Sequence, residues 1–320
     1  MNNSSNLTSK SFADVFNTKE DALSTLVKQA INKRNFKYKK VEGKEYDDAI
    51  LRIMKVLDET ILGTAGSHRL NDWEKGWGEN LKKFIRSNHD LNQLIPQFVK
   101  KDAFIRFRNN FIRPESDSFE TDFVTVMRYY LFSKYYKNAN ALYEFGAGTG
   151  LNLVAASEIF PKMKLVGLDW AESSINIINA LKEKLNINIT GKKMDLFSPD
   201  KRYKLDKDSA ILTVGTLEQL GTDFKTFVNY LLINKPQICI HMETIYELYD
   251  RTNLLDYLAA KYLEKRDYLK GFLPHLKLLE SKKKIKILEI RRTFGSFFHE
   301  GYTYIVWRPL PAGRQEFKNE

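Results

Sequence analysis

The spacing of hydrophobic positions changes near residue 140, and the change divides the chain into two patterns. Upstream, apolar side chains recur every three or four residues, as at Leu23, Val27 and Ile31, which is typical of amphipathic helices. Downstream, short apolar runs alternate with further helical patterns. This alternation predicts an α/β fold with a doubly wound, mostly parallel sheet. The predicted strands are at 141–145, 164–169, 188–194, 210–214 and 237–242, and the helices between them are at 151–160, 173–185, 224–233 and 254–266.

The last part of the chain has the pattern of a helix followed by a strand hairpin. A helical pattern at 268–282 precedes two apolar runs at 285–292 and 302–308, which are separated by turn-forming residues. We therefore predict an α/β domain at 139–310 that closes on two antiparallel strands. Before it we predict a helical module at 11–138, with helices at 81–89, 91–98 and 120–136, a disordered polar tail at 1–10, and a second tail at 311–320.

A glycine-rich turn follows the first predicted strand and has the pattern ExGxGxG from Glu144 to Gly150. Glycines at alternate positions permit a tight turn and a close approach of a ligand to the main chain. The helix that follows offers unpaired N–H groups at its N-terminus. Ligands of open α/β sheets bind beyond the carboxyl ends of the strands, so we expect a nucleoside or a charged group here. A dinucleotide fingerprint would need glycine in place of Leu151, and a phosphate loop would need a lysine after Gly150.

The pattern resembles the first motif of the Rossmann-like (class I) S-adenosylmethionine-dependent methyltransferases. The resemblance covers about residues 140–308 and includes the closing hairpin. It implies a seven-stranded sheet whose final strand is antiparallel, with S-adenosyl-L-methionine as the cofactor. No tetrapeptide like Asn-Pro-Pro-Tyr stands at the fourth strand, so the chain does not resemble the methyltransferases of adenine or glutamine amides.

The resemblance also implies which residues contact the cofactor. Asp169 ends the second strand and would accept both ribose hydroxyls, with Trp170 against the adenine. Asp195 would take the adenine amino group, and the backbone of Leu196 would meet the ring. The alternatives are a capping or surface acid for Asp169 and a plain turn residue for Asp195. The remaining predicted contacts are Glu144, Gly146, Ala147, Gly148, Gly150 and Gly215, the last of which would admit the methionine part.

Methyl transfer requires an aligned acceptor and, for a hydroxyl, a base. The sequence offers three candidates near the ends of the fourth and fifth strands: Glu218, His241 and Glu243. The unperturbed pKa of histidine is close to neutrality, which suits a base. His241 is equally compatible with a buried, hydrogen-bonded histidine, and Glu218 with an outward glutamate at a helix start. The spacing of acids indicates no metal site, so we expect metal-independent transfer.

Aromatic and basic residues outside the glycine turn are candidates for a lid and an acceptor pocket. Trp73 and Trp77 lie four residues apart and either recognise a polar ring or pack one helix face into the core. The segment 246–268 is longer than a simple connection and is interpreted as the pocket rim. The other predicted lid and rim residues are Arg128, Tyr129, Tyr246 and Arg251, of which Arg128 and Tyr129 would shield the sulfonium and hold the cofactor's carboxylate.

The charge balance permits an anionic partner without identifying one. Lys and Arg total 51 against 40 Asp and Glu, a formal net charge of +11 that is scattered along the 320 residues. The basic run at 32–40 is interpreted as a solvated helix end or loop, with a nucleic-acid contact as the alternative. The single cysteine excludes a disulfide framework. No apolar run approaches the roughly 20 residues of a membrane span, and no secretory signal is seen, so we expect a cytoplasmic protein.

These observations favour a methyltransferase that acts on a small polar molecule, such as a sugar, a nucleotide-linked sugar or a natural-product intermediate, at oxygen or nitrogen. The large helical module suits an enclosed pocket better than a groove for a polymer. The second hypothesis is an RNA or protein methyltransferase that uses the basic runs at 33–40 and 282–284. The third is a non-catalytic binding protein that keeps the fold. The sequence does not indicate an oligomeric state.

Overall fold

The computed structural model describes residues 4–96, 99 and 104–311. The helices of these residues are Ser9–Val15 (α1), Thr25–Asn32 (α2), Lys44–Glu59 (α3), Leu70–Arg86 (α4), Phe119–Tyr135 (α5), Leu151–Ile159 (α6), Glu172–Leu185 (α7), Lys225–Asn234 (α8), Leu254–Lys265 (α9) and Phe272–Ser281 (α10). The strands are Ser5–Asn6 (β1), Lys37–Lys40 (β2), Ile105–Phe107 (β3), Asn110–Pro114 (β4), Ala141–Phe145 (β5), Lys164–Asp169 (β6), Ile189–Lys193 (β7), Ser209–Val214 (β8), Ile238–Glu243 (β9), Ile285–Arg291 (β10), Phe294–Gly295 (β11) and Thr303–Pro309 (β12).

The larger sheet has seven strands in the order β10-β12-β9-β8-β5-β6-β7. Strands β5 to β9 pair in parallel, whereas β12 pairs antiparallel with both β9 and β10. The chain builds outward from β5 to β7 and then returns to form β8 on the other side of β5. The strand order therefore reverses between β5 and β8, and a ligand crevice is expected at their carboxyl ends. The predicted seven-stranded sheet with its antiparallel final strand is confirmed.

The central strands are buried on both faces, as expected where helices cover a parallel sheet. Every residue of β5 and β9 is buried. On one face the strands pack with α5 and α6 through side chains such as Phe123 and Leu153. On the other face they pack with α8 and α10 through side chains such as Phe227 and Phe272. This burial fixes the strand ends, and with them the position of the glycine turn.

The N-terminal part is helical as predicted, but it also contains strands that the sequence analysis did not predict. The second sheet has the order β1-β2-β4-β3-β11. Strand β2 lies in the basic run that was interpreted as a helix end or loop, and it pairs with β4. The segment predicted as a disordered tail differs as well, because Ser5 and Asn6 pair with β2 and α1 begins at Ser9. Residues 1–3 of that tail lie outside the described residues.

Several element boundaries also differ from the prediction. The helix predicted at 81–89 is the end of α4, which begins at Leu70. The helix predicted at 91–98 is a 3₁₀ turn at Leu91–Leu94, and residues 97 and 98 lie outside the described residues. The helix predicted from 268 begins at Phe272. Residues 312–320 of the predicted C-terminal tail are likewise outside the described part of the chain.

The two predicted domains share a hydrophobic core. One cluster of buried side chains contains Phe12 of α1 and Val27 of α2 together with Leu142 of β5 and Leu212 of β8. The N-terminal elements therefore pack directly on the larger sheet, and the division near residue 138 stays a prediction. Among the described residues, no helix combines the length and the apolar character needed to cross a membrane.

Candidate active site

The glycine turn lies at the carboxyl end of β5 and leads into α6. Gly146, Gly148 and Gly150 have φ angles of +69°, +53° and +71°, which residues with a Cβ rarely adopt. The amide of Gly146 donates to the carbonyl of Leu168 at 2.7 Å, which ties the turn to the end of β6. The hydroxyl of Thr216, which follows β8, donates to the carbonyl of Gly146 at 3.3 Å. Three neighbouring strand ends therefore hold the turn in one conformation.

Asp169, at the end of β6, is 3% exposed and holds the glycine turn through its carboxylate. Oδ2 accepts the amide of Gly148 at 2.8 Å, and Oδ1 accepts the amide of Ala171 at 2.9 Å. Burial raises the pKa of this carboxyl, and the backbone hydrogen bonds oppose the rise. The contact with ribose hydroxyls stays a prediction. It would add a third partner, which is allowed because each carboxylate oxygen can accept more than one hydrogen bond.

Glu144 connects the turn to Arg128 through one intermediate side chain. The amide of Asn152 donates to Oε1 of Glu144 at 2.5 Å, and its carbonyl accepts Nε of Arg128 at 2.6 Å. Burial raises the pKa of Glu144 to about 8 against the opposing effects of Asn152 and Arg128. Arg128 thus lies beside the N-terminus of α6, as a ligand for a carboxylate would. Tyr129 instead donates to Glu158 near the other end of α6, so the structure does not bring it to the turn.

The predicted adenine side of the site contains Trp170, Asp195 and Leu196. The ring of Trp170 stacks on Phe197 with centroids 5.8 Å apart. Asp195 is exposed and accepts the amide of Phe197 at 2.8 Å, which is the geometry of a turn residue. Leu196 is buried. These residues form one continuous edge at the ends of β6 and β7, and their contact with adenine stays a prediction.

Gly215 lies at the end of β8, next to the crevice. Its φ is +58°, and a Cβ built on it would meet no atom within 4 Å. The other glycines of the crevice face neighbours, since a Cβ on Gly148 would lie 3.0 Å from Cζ2 of Trp77. Open space beside Gly215 is where the predicted methionine part of the cofactor would fit.

Helix α4 lies over the glycine turn as a lid. Trp77 contacts Gly148, and its indole stacks on Trp73 at 5.4 Å between centroids. Oε1 of Glu74 accepts the amide of Ser173 at 3.0 Å as well as its hydroxyl, so α4 caps the N-terminus of α7. Both interpretations of the tryptophan pair therefore have support. The rings pack against the turn, while Nε1 of Trp73 is buried without a hydrogen-bond partner.

Glu218 lies on the 3₁₀ turn Leu217–Leu220, directly after β8. The pKa of its carboxyl is raised to about 8, mainly by burial and then by the negative charge of Glu243. Arg266 and Arg69 act in the opposite direction. The side-chain amide of Gln219 donates to Oε1 at 3.3 Å. A carboxyl with this pKa is partly ionised near neutral pH and is suited to exchange a proton with a ligand.

Glu243 ends β9 and is fully buried beneath the same turn. Its Oε1 accepts the amide of Thr216 at 3.1 Å. Burial raises its pKa to about 7, and backbone hydrogen bonds from residues 216 to 218 oppose the rise. This geometry makes Glu243 a support of the turn that carries Glu218. It also gives Glu218 a neighbouring negative charge.

His241 lies inside the sheet layer and not at the crevice. Its ring is fully buried between Phe272 and Trp307, with centroid distances of 5.3 and 6.0 Å. Nδ1 shares a hydrogen bond of 2.9 Å with the hydroxyl of Thr213. Burial lowers its pKa to about 3, so the ring is neutral. These contacts agree with the alternative interpretation, a buried and hydrogen-bonded histidine, and we do not carry His241 forward as a base.

Several buried polar atoms without hydrogen-bond partners belong to residues that act on Glu218, namely Gln219, Glu243, Arg69 and Arg266, or to Trp73 and His299, which lie next to Arg69 and Tyr268. Folded proteins leave few such atoms, so a group of them is where a ligand or ordered water fits. The rim predicted at 246–268 includes Arg266, but sequence reasoning did not bring Arg69, Arg266 and His299 together, because they come from distant segments. We call this group, together with Glu218, the polar chamber. Its unpartnered atoms are Arg69 Nη1, Trp73 Nε1, Gln219 Oε1, Glu243 Oε2, Arg266 Nε and His299 Nδ1.

The segment predicted as the rim lines a cavity of about 360 Å³ beside the polar chamber. Tyr246, Tyr268 and Phe197 contribute to its wall. Arg251 donates to the hydroxyl of Tyr246 at 2.8 Å and to Glu264 at 2.9 Å, so it braces this wall from outside. Within the described residues, no group of three or more His, Cys, Asp or Glu side chains has an arrangement that could hold a metal ion.

The fold has counterparts among solved structures, although no family model and no curated protein matches the chain. A [4+2]-cyclase, SpnF, is 14% identical with a TM-score of 0.49, covering 79% of this chain and 99% of its own. The geranyl diphosphate C-methyltransferase of Streptomyces coelicolor is 11% identical with a TM-score of 0.43, covering 72% and 98%. A SAM-dependent methyltransferase from Aquifex aeolicus is 14% identical with a TM-score of 0.41, covering 56% and 88%.

The strand order decides the fold. The order of the five parallel strands reverses between β5 and β8. Strand β12 of the C-terminal hairpin lies second from the edge and is antiparallel to both of its neighbours. The fold is that of the Rossmann-like (class I) methyltransferases. The resemblance seen in the sequence is thus confirmed at the level of the fold. In the methyltransferase fold, the glycine turn of residues 144–150 occupies the loop after the first strand of the core.

Proposed function

We propose that the protein is an S-adenosylmethionine-dependent methyltransferase that acts on a small polar molecule. The observation that carries the proposal is the adjacency of two features at one end of the sheet. Gly215 leaves open space at the end of β8 for a nucleoside cofactor, directly beside the glycine turn. Next to them, the polar chamber contains buried polar atoms that lack partners. A cofactor and an acceptor can therefore meet between β5 and β8.

The residues present fit the proposed cofactor. Open space at Gly215 suits the methionine part, and Arg128, fixed by Asn152, suits its carboxylate. Asp169 and Trp170 at the end of β6 suit the ribose and the adenine, and Asp195 and Leu196 continue that edge. S-adenosylmethionine, when bound, supplies an activated methyl group. The protein then has to align the acceptor and exclude competing water.

Different side chains of the site accept the proton, support the turn that carries the base and exclude water. Glu218 accepts a proton from the acceptor's hydroxyl or amine, which its pKa of about 8 permits near neutral pH. Glu243 holds the turn that carries Glu218 in place. The tryptophan pair of α4 covers the glycine turn and shields it from solvent. The acids in this arrangement act as base and support, so the transfer that we propose is metal-independent.

A covered site suits a small molecule better than a polymer. Helix α4 is fastened by the hydrogen bond from Ser173 to Glu74, and its Trp77 covers the turn at Gly148. We therefore keep an RNA or protein acceptor as the alternative and a non-catalytic binding protein as the third possibility. Steep salt dependence of RNA binding, reduced by neutralising Lys37, Lys39 and Lys40, would favour the alternative. A cytoplasmic location and the domain division at 138 remain part of the proposal.

Calorimetry with S-adenosylhomocysteine tests the proposal directly. We expect saturable binding of one molecule per chain, and label transfer from S-adenosyl[methyl-³H]methionine to small molecules of a cell extract but not to its RNA or protein. Absence of S-adenosylhomocysteine binding would contradict the proposal and favour the non-catalytic protein. Label in RNA or protein would favour the alternative acceptor.

A further inference from the structure

The polar chamber contains two guanidinium groups whose hydrogen-bonding capacity is not used. Nε of Arg266 is buried without a partner, and among the described residues no carboxylate forms an ion pair with this arginine. Its Nη1 donates to the hydroxyl of Tyr262 at a distance of 3.3 Å. Arg69 pairs through Nε with Asp72 at 2.8 Å, but its Nη1 is buried and unpartnered. Both arginines therefore have N–H groups available for a ligand.

The two guanidinium groups belong to one site although they come from distant segments. Both guanidinium groups act electrostatically on the carboxyl of Glu218 and lower its pKa. The amide of Ala65 donates to the carbonyl of Arg266 at 2.7 Å and joins the segment that precedes the lid to the end of α9. Aromatic rings hold each guanidinium: Arg69 lies over Trp73 at 5.5 Å, and Arg266 lies over Tyr268 at 4.7 Å.

The acids nearby balance these two charges only in part. Asp72 pairs with Arg69 but is 66% exposed, and no carboxylate of the described residues pairs with Arg266. Burial and, for Glu218, the charge of Glu243 raise the pKa values of the two other acids, which favours their protonated forms. A buried guanidinium requires hydrogen-bond acceptors and an opposite charge, since burial of an unpaired charge is costly. Its planar N–H groups match the paired oxygens of a carboxylate or a phosphate.

We propose that the methyl acceptor carries an anionic group, a carboxylate or a phosphate, which Arg69 and Arg266 bind while the reacting hydroxyl or amine faces Glu218. The inference rests on the proposed function and narrows its substrate class. It distinguishes this pocket from one for a neutral sugar, which would need no arginine. The arginines act as specificity-determining residues, and the proton transfer stays with Glu218.

Small probes of matched shape test the inference without knowledge of the natural acceptor. The protein, with and without S-adenosylhomocysteine, is titrated calorimetrically with phenyl phosphate, benzoate and benzyl alcohol. We expect phenyl phosphate or benzoate to bind saturably and benzyl alcohol not to bind, and the stronger of the two anions identifies the group. Arg266→Gln and, separately, Arg69→Gln should weaken that anion about tenfold or more, the loss of a charge-assisted hydrogen bond. Arg202→Gln, at an exposed arginine paired with Asp200, is the control and should change nothing.

The outcomes separate this inference from the proposed function. Equal binding of all three probes, or anion binding that both chamber variants keep, overturns the anionic acceptor. Binding of S-adenosylhomocysteine with no binding of either anion also overturns it and leaves the methyltransferase proposal standing. Arginine-dependent anion binding without S-adenosylhomocysteine binding supports the anion site and contradicts the proposed function. Circular dichroism of each variant verifies that it is folded, and the second arginine variant serves if one is not.

Discussion

Alanine substitutions at two glycines with almost the same φ distinguish the effect of backbone strain from the effect of filling the cofactor crevice. Gly215 has φ +58° and Gly43 has φ +59°, and a Cβ on either would meet no atom within 4 Å. Alanine at either position therefore adds backbone strain of about 1–3 kcal/mol. We expect Gly215→Ala to weaken S-adenosylhomocysteine about tenfold or more, because its methyl group would occupy the crevice. Calorimetry measures the affinity, and Gly43→Ala is the control that should bind normally. Equal affinities in the two variants would show that the cofactor lies elsewhere.

The carboxyl of Glu218 should govern the pH dependence of methyl transfer. A base must be ionised, so turnover should rise as pH increases through about 8, the value to which burial and Glu243 raise this pKa. Glu218→Gln should lower kcat by a factor of about 10²–10⁴ and leave the affinity for S-adenosylhomocysteine unchanged. Loss of a positive charge raises the pKa of an acid, so Arg266→Gln should move the rise to higher pH. A pH profile that Glu218→Gln leaves intact would assign the proton transfer to another group.

At the scale of single elements, α4, which we propose as a lid, is held on α7 by hydrophobic packing and by one hydrogen-bonded contact. Glu74 of α4 accepts the amide and the hydroxyl of Ser173 at the start of α7. Glu74→Ala should cost about 1 kcal/mol through the lost helix cap and should loosen the lid. We expect faster dissociation of S-adenosylhomocysteine in stopped-flow measurements of tryptophan fluorescence, since Trp73 and Trp77 lie on this helix.

Lys75→Ala is the matched control for the lid, because Lys75 is the next residue of α4 and is exposed. It should leave the dissociation rate unchanged. Identical rates in the two variants would mean that the contact between Glu74 and Ser173 does not restrain the lid.

The elements that the sequence predicted correctly are those with a long, clear hydrophobic period. The strands β5, β6, β8 and β9 are largely apolar, and the helices between the strands have the helical period. Strand β2 was missed because three of its four residues are lysines, and it gains stability from pairing with β4, more than 70 residues away. The start of α4 was missed because Gly76 and Gly78 lower the helix propensity of a segment that packing on α7 nevertheless makes helical.

In the candidate site, too, local features were predicted from the sequence, whereas contacts between distant segments were not. The glycine turn and the acids at strand ends are local signals, and the sequence located them. The chamber is assembled from residues 69, 73, 218, 219, 243, 266 and 299, which only the folded chain brings together. Periodicity also does not distinguish a base from a core histidine. The difference between Glu218 and His241 is one of burial and hydrogen bonding.

At the scale of the whole molecule, a buried ion cluster joins the N-terminal sheet, α9 and the C-terminal hairpin. Asp256 of α9 is fully buried and accepts two N–H groups of Arg292 at 2.7 and 2.9 Å. Arg106 of β3, 1% exposed, lies 3.7 Å from the same carboxylate. Glu300 pairs with Arg292 at 2.7 Å. Residues at positions 106, 256, 292 and 300 therefore stabilise one another through one ion cluster.

Removal of Asp256 should destabilise the protein strongly, because the buried Arg106 and the partly buried Arg292 would lose their shared partner. We expect Asp256→Ala to lower the free energy of unfolding by about 3–5 kcal/mol, as found when one partner of a buried pair is removed. Urea denaturation measures the change. Asp200→Ala removes an exposed pair with Arg202 and should leave the free energy of unfolding almost unchanged. Similar losses in the two variants would show that the buried cluster adds little.

The two-residue strand β11 determines when the smaller sheet can be completed. Phe294 and Gly295 pair with Phe107 and Arg106 of β3, and the ring of Phe294 packs on Phe123 with centroids 3.9 Å apart. During synthesis on the ribosome, the edge of β3 emerges long before its partner is translated. An unpaired strand edge is a site for association with other chains. The edge of β3 is therefore covered only after residues 294 and 295 have been translated. Until then, a chaperone that binds exposed β-strands would protect this edge.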